Sequence, residues 1–197
     1  IVGTAGGALV ALDAADGSLL REAALPGGDA VLALAATPSG ERIYAGTYGA
    51  LHAVRLADLT ETAQAALSGS HRALAVSEDG ARVYAAAFDP LALRAELVAF
   101  RGDTLAVLAR APAAAEPTAL AVDPLGRGIY LLAAADGLLT AYDADLRETS
   151  RVPVCISPQG LAVDAARQCL VVANAGSDNV QRVATGEGGL RVTATVA

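Results

Sequence analysis

The sequence predicts an all-β fold built from repeated units of four short strands, and two observations support this prediction. A tyrosine recurs at Tyr44, Tyr84 and Tyr130, 40 and 46 residues apart, and Val171 follows 41 residues later. Gly, Pro and Asp interrupt the chain too often for paired helices, but at intervals that suit short strands. Four strands in a repeat of about 40 to 45 residues are typical of a β-propeller of four-stranded antiparallel blades.

Each repeat contains four apolar segments in a fixed order, which we name A to D. In the copy 68–114 these are 73–76 (ALAV), 82–86 (RVYAA), 97–100 (LVAF) and 104–110 (TLAVLAR). A turn separates A from B, and a glycine that can adopt positive φ stands four residues before each tyrosine. This column holds Gly40, Gly80, Gly126 and, as an exception, Arg167.

The repeats divide one domain, residues 1–197, into a partial copy and four full copies. The expected boundaries are 1–27 (partial), 28–67, 68–114, 115–155 and 156–197. The partial copy has no segment A, and an unclosed ring would leave apolar sheet edges exposed. We therefore expect further blades outside this sequence, which would make the chain a fragment of a larger ring.

Composition argues against two classes of partner. The net charge is −7, and the 14 basic residues are all arginines scattered singly along the chain. Nucleic-acid binding is not expected, because no basic stripe is present to follow phosphates. No membrane span is expected either, because no apolar run approaches the roughly 18 to 20 residues that a spanning helix needs.

The stretch 157–180, SPQGLAVDAARQCLVVANAGSDNV, resembles the YVTN-type β-propeller repeat. The match includes the proline before the GLAV strand, the VVAN strand and the following GSDNV. The same residues resemble the lactonase-like seven-bladed propellers, which share this repeat. The resemblance implies a seven-bladed ring, a periplasmic or secreted location, and either a sugar-lactone hydrolase or a non-catalytic relative.

The D–A and B–C connections of a propeller share one face, where the segments A begin. His71 and Arg72 form the one titratable pair at these positions. A histidine often opens segment A in the lactonase-like relatives, so the resemblance makes His71 a candidate for orienting substrate or transferring a proton. The alternative, which we favour, is a histidine that replaces a proline and hydrogen-bonds a loop.

Residues 88–97 form the one B–C connection longer than its counterparts, and we expect an irregular loop there. Loops on rigid scaffolds often carry function, but a neutral surface insertion with its leucines packed down is an equal alternative. The candidate binding residues of this loop are Phe88, Asp89, Leu91, Leu93 and Arg94. Others on the same face are Thr118, Gln159 and Asp178.

The remaining polar residues favour structural roles. His52 is expected to be a satisfied histidine between blades, and no convincing metal or haem ligand set is present. Cys155 and Cys169 are expected on opposite faces, beyond disulfide distance, as free and largely buried thiols. Four aspartates fit turns better than a calcium site, namely Asp13, Asp16, Asp143 and Asp145.

We therefore predict a non-enzymatic scaffold without a cofactor. It would present its B–C/D–A loop face to an unidentified protein, polymer or ligand. The alternative is a lactonase-like hydrolase of a sugar lactone, for which no complete acid and base set accompanies His71 and Arg72. A cofactor-bearing periplasmic dehydrogenase subunit is a third possibility, for which no ligand residues are evident.

Overall fold

A computed structural model describes all 197 residues and contains 18 strands, every one of them paired in antiparallel ladders. We call each structural repeat a unit. Unit 1 is a sheet of three strands, β1 (Val2–Gly3), β2 (Ala8–Leu12) and β3 (Leu19–Ala24). No helix in the structure has the length and apolar character needed to cross a membrane.

Units 2 and 3 share one seven-stranded sheet, in which the strands pair in chain order. The strands are β4 (Ala33–Ala36), β5 (Arg42–Gly46), β6 (Tyr48–Arg55), β7 (Thr60–Val76), β8 (Arg82–Asp89), β9 (Arg94–Arg101) and β10 (Val107–Ala113). The first part of β7 pairs with β6, and its last part pairs with β8. Segment D of unit 2 therefore continues into segment A of unit 3 without a break, and two four-stranded units result.

Units 4 and 5 are separate four-stranded sheets. Unit 4 consists of β11 (Pro117–Val122), β12 (Ile129–Ala133), β13 (Leu138–Tyr142) and β14 (Glu148–Pro153). Unit 5 consists of β15 (Pro158–Asp164), β16 (Cys169–Asn174), β17 (Asn179–Gly186) and β18 (Gly189–Val196). A single 3₁₀ turn, Ala175–Ser177, connects β16 to β17.

The A–B turns explain the recurring glycine. Gly40, Gly80 and Gly126 have φ between 68° and 72°, a region that glycine enters without steric cost. The fourth copy differs from the expected alignment, because Gln168, and not Arg167, has the positive φ, at 51°. There Arg167 instead donates its backbone N–H and its guanidinium to the carboxylate of Asp164.

The core lies between units and not within one closed interior. Tyr44 of unit 2 packs with Val83 and Phe100 of unit 3, and Tyr84 of unit 3 packs with Leu131 of unit 4. Strands B and C of units 2 to 4 are largely buried on both faces, which explains their continuous apolar sequences. In β16 of unit 5, buried and exposed residues alternate instead. Neighbouring A strands contact one another from β4 through β7 and β11 to β15. The units thus stand side by side as consecutive propeller blades do.

Candidate recognition groove

Three connections meet on one face of units 2 and 3. The register places Tyr48, at the B–C turn of unit 2, opposite Ser70 of β7. Ser70 in turn lies opposite Phe88, near the end of β8. The B–C turn of unit 2, the D–A connection and the B–C hairpin of unit 3 are therefore neighbours.

The prediction of an irregular loop at 88–97 is wrong, because most of these residues belong to regular strands. Phe88 pairs with Ala95 and Asp89 pairs with Arg94, so only 90–93 lies outside β8 and β9. Asp89 closes the turn, since its Oδ1 accepts the backbone N–H groups of Leu91 at 2.9 Å and Ala92 at 3.1 Å. The extra residues thus lengthen a hairpin that would otherwise resemble the five-residue strands β12 and β13.

The leucines of this hairpin face solvent. Leu91 is 91% exposed and Leu93 is 78% exposed, whereas Phe88 below them is half-buried. The alternative in which the leucines pack down onto the fold is therefore wrong. Large apolar side chains at the tip of a well-paired hairpin gain nothing from folding, so packing within the chain does not explain them.

Two cavities of about 410 and 700 Å³ adjoin the hairpin. They share four lining residues, Ser68, Asp89, Glu96 and Arg110, and are therefore adjacent; we call the two together the hairpin groove. The smaller cavity extends to Tyr48, Gly49 and Leu91. The larger cavity extends to Leu93, Arg94 and 111–113 of β10.

The charged side chains of the groove are unevenly paired. Arg110 Nη1 lies 3.0 and 2.9 Å from the two carboxylate oxygens of Glu96. Asp89 Oδ2 has no hydrogen-bond partner, and Arg94 makes no ion pair. One carboxylate oxygen and one guanidinium in the groove thus remain available to a bound molecule.

His71 has no solvent exposure and contacts Leu67, a residue that lines the smaller cavity. Its Nδ1 is 2.8 Å from the carbonyl oxygen of Ala50, and its Nε2 is 3.0 Å from that of Leu67. Burial lowers the pKa of His71 below the ordinary value, although the two carbonyl groups act in the opposite direction. Gly46 leaves room for it, since a Cβ at this position would lie 2.7 Å from the His71 Cβ.

The other predicted site residues do not join the groove. Arg72 is exposed beside His71. Thr118 Oγ1 donates to the Pro158 carbonyl at 2.9 Å, which links units 4 and 5. Gln159 and Asp178 are exposed, and both line a separate cavity of about 400 Å³ in unit 5.

The residues expected to be structural have identifiable partners. His52 is buried, and its Nδ1 lies 2.6 Å from Glu61 Oε1. Glu61 belongs to the same sheet, so this contact lies within a blade and not between blades as expected.

Both cysteines have free thiols. Cys155 is half-buried and Cys169 is buried. Three of the four aspartates accept a backbone N–H group of the turn in which they lie, namely Asp13, Asp16 and Asp143. The fourth, Asp145, forms an ion pair with Arg147.

Several groove residues were missed by sequence reasoning, namely Tyr48, Ser68, Gly69, Glu96 and Arg110. They come from three connections and strands that only the register brings together. A partial signal existed in β9 and β10, where Glu96 and Arg110 have opposite charges on adjacent segments of one repeat. The continuity of β7 had no such signal.

Solved structures similar to this chain identify the class of fold. A functionally unknown protein from Desulfotomaculum acetoxidans superposes with a TM-score of 0.85 at 12% identity, over 100% of this chain and 65% of that one. The Cps50 (Swd1) β-propeller domain of Myceliophteria thermophila gives 0.75 at 13% identity, over 98% and 67%. The dihydro-heme d1 dehydrogenase NirN, in complex with DHE, gives 0.75 at 17% identity, over 98% and 43%.

These likenesses show that the chain has a β-propeller fold. It spans between 43% and 67% of the length of the three structures. No protein-family model and no curated protein matches it. The similar structures include a dehydrogenase as well as proteins whose names indicate no enzyme, so the fold alone does not define a function.

Proposed function

We propose that this protein is a non-enzymatic propeller scaffold that binds a segment of another protein along the hairpin groove. One observation carries the proposal: Leu91 and Leu93 are exposed at the tip of a hairpin whose strands are fully paired. The pairing of Asp89 with Arg94, together with the two turn N–H groups that Asp89 accepts, orders the backbone of the tip before any partner arrives, which reduces the ordering cost of binding. Contiguous exposed apolar patches often mark contact surfaces, and Leu91 lines the same cavity as the half-exposed Tyr48.

The groove has the mixed character of a peptide-binding surface. It offers apolar anchors at the rim in Tyr48, Leu91 and Leu93, and charged groups along its length. Such an arrangement buries apolar side chains of a ligand while polar groups fix its orientation. By comparison, the lactonase-like alternative has less support, because both ring nitrogens of His71 face backbone carbonyl groups.

The resemblance to YVTN-type repeats supports two finer parts of the proposal. The chain would belong to a ring of the seven-bladed type, and it would act in the periplasm or as a secreted protein. Both parts rest on the stretch 157–180 and not on the groove.

A peptide selection tests the proposed face. A library of random peptides displayed on phage is selected on the protein, and the affinities of the enriched peptides are then measured for two variants. The first is the double variant Leu91→Ser/Leu93→Ser. The matched control is Leu125→Ser, which removes a leucine that is 69% exposed in an A–B turn on the opposite face.

We expect the double variant to bind at least about ten-fold more weakly, because two apolar contacts would be lost. The control should bind as the unaltered protein does. If Leu125→Ser weakens binding and the double variant does not, the recognition surface is on the other face and the proposal is wrong.

A further inference from the structure

The smaller cavity of the hairpin groove has the composition of a pocket for a positively charged side chain. Its wall includes Tyr48, an aromatic residue that is 49% exposed, and the exposed Leu91. Its charged residues are Asp89, Glu96 and Arg110. A cation over the face of an aromatic ring is attracted by the negative potential of that face, and a nearby carboxylate adds to the attraction.

The charges of this cavity do not cancel. Arg110 is held by both carboxylate oxygens of Glu96, so that pair has no net charge. Asp89 uses Oδ1 to accept two backbone N–H groups of its own turn, and Oδ2 stays free. The cavity therefore has a net charge of one negative unit, centred on Asp89.

Backbone geometry keeps the cavity open. Gly69, on its wall, has φ +91°, and a Cβ there would lie 2.3 Å from the Phe88 carbonyl oxygen. Gly49, which also lines the cavity, has φ +89° and no atom within 4 Å of a Cβ position. Glycine at position 69 lets the D–A connection approach the hairpin closely, and at both positions glycine accommodates a positive φ that other residues rarely adopt.

We infer that this cavity accepts an arginine or lysine side chain of the protein segment bound along the groove. The inference rests on the proposed function and specifies the chemistry of its ligand. Tyr48 would cover the cationic group, and Asp89 Oδ2 would accept from it. The net charge of the chain is −7, and this negative charge attracts a basic partner towards the protein.

The positive charge of Arg94, near the smaller cavity, allows the preference for a cationic ligand to be tested. Arg94 is adjacent to Asp89 in the hairpin register, yet it makes no ion pair with it and lines only the larger cavity. Its positive charge nevertheless opposes the entry of a second cation. Removal of this charge should therefore strengthen the binding of a basic ligand, whereas it would weaken the binding of an acidic one.

The test uses three blocked pentapeptides and NMR of the isotopically labelled protein. The peptides have a central arginine, citrulline or glutamate between two leucines, with an alanine at each end. Citrulline keeps the shape of arginine but has no charge. We expect the arginine peptide to shift the amide signals of Ser68, Gly69 and Leu91, and the citrulline peptide to bind about five-fold more weakly.

Variants separate charge from shape. Asp89→Asn keeps an oxygen for the turn, so the hairpin should persist while arginine-peptide affinity falls about five-fold. Arg94→Gln should raise that affinity. Asp178→Asn, which removes an exposed acid of the unit 5 B–C connection, should leave it unchanged.

The outcomes distinguish the two proposals. If all three peptides shift the groove signals equally, the groove binds peptides but the cation preference is wrong. If the glutamate peptide binds best, or Arg94→Gln weakens arginine-peptide binding, the inference is also overturned while the proposed function stands. Shifts confined to the A–B/C–D face would overturn both. If no peptide shifts any signal, the inference is overturned, and the phage selection decides the proposed function separately.

Discussion

The burial of His71 and its two carbonyl contacts depend on the fold, whereas its position in the repeat was predictable from the sequence. A neutral imidazole donates one hydrogen bond, yet both ring nitrogens of His71 face carbonyl oxygens. The sequence indicated where the residue would stand, at the start of a segment A. It did not indicate the burial, because one partner, Ala50, lies 21 residues earlier in the chain.

The pKa of His71 predicts a dependence of stability on pH. Burial lowers this pKa in the folded protein below the ordinary value of 6.5. The unfolded chain therefore binds more protons as the pH falls through this region, so the free energy of unfolding decreases on acidification. In His71→Gln this contribution is absent, and the decrease should be smaller.

Urea unfolding of both proteins at about pH 7 and about pH 5 measures this difference. A free energy of unfolding that falls equally in both proteins would show that His71 does not contribute. A rise on acidification in the unaltered protein alone would show that the two carbonyl groups outweigh burial.

At the scale of single elements, the hairpin of β8 and β9 and the strand β7 define the groove. The turn glycines were predictable because positive φ strongly favours glycine, as at Gly40. The regular hairpin could not be predicted from the sequence, since its regularity depends on the pairing of Asp89 with Arg94. Pro and Asp at its start indicated a loop, and the pairing with the opposite strand outweighed that local signal.

Gly69 and Gly40 should differ in their tolerance of alanine. Both have positive φ, but a Cβ at Gly69 would collide with the Phe88 carbonyl oxygen, whereas nothing lies within 4 Å at Gly40. Gly40→Ala should therefore cost only conformational strain, about 1 to 2 kcal/mol. Gly69→Ala adds a steric clash and should cost about 2 to 4 kcal/mol. Urea unfolding of the two variants gives the comparison, and equal losses would contradict the close approach at Gly69.

Across the whole molecule, polar contacts supplement the apolar packing between neighbouring units. Tyr44 donates to the Gly102 carbonyl at 2.8 Å, Arg82 to that of Ala144 at 2.6 Å, and Arg127 to that of Ala165 at 2.8 Å. The propeller fold was predictable because the repeat places an apolar B and C segment in every copy. The polar contacts could not be predicted from the sequence, because each joins residues 38 to 62 positions apart.

Removal of the Tyr44 hydroxyl should weaken the contact between units 2 and 3. Tyr44→Phe leaves the Gly102 carbonyl with only the 3.4 Å contact from Arg42, which should cost about 1 to 2 kcal/mol. Tyr48→Phe is the control, because its ring is 49% exposed and the change should stay within about 0.5 kcal/mol. Thermal unfolding compares them, and a Tyr44→Phe protein as stable as the control would contradict the role of this bond.

The two cysteines test which face each connection occupies. Cys155 precedes β15 and Cys169 follows its far end, so about 20 Å of strand separates them. Without reductant, the denatured protein should give two reactive thiols for each chain. In the folded protein the half-buried Cys155 should react faster than the buried Cys169. No reactive thiol, together with a mass two daltons lower, would show a disulfide and contradict the face assignment.

The central claim is that the tip of the β8–β9 hairpin serves recognition and not folding. The most direct measurement replaces residues 90–93 with Ala-Ala-Asp-Gly, the four-residue turn that connects β12 to β13 at 134–137, and compares both stability and binding of a phage-selected peptide. We predict a free energy of unfolding within about 0.5 kcal/mol of the unaltered protein and loss of peptide binding. A variant that unfolds would make the hairpin tip structural, and one that folds and binds with unchanged affinity would place recognition elsewhere.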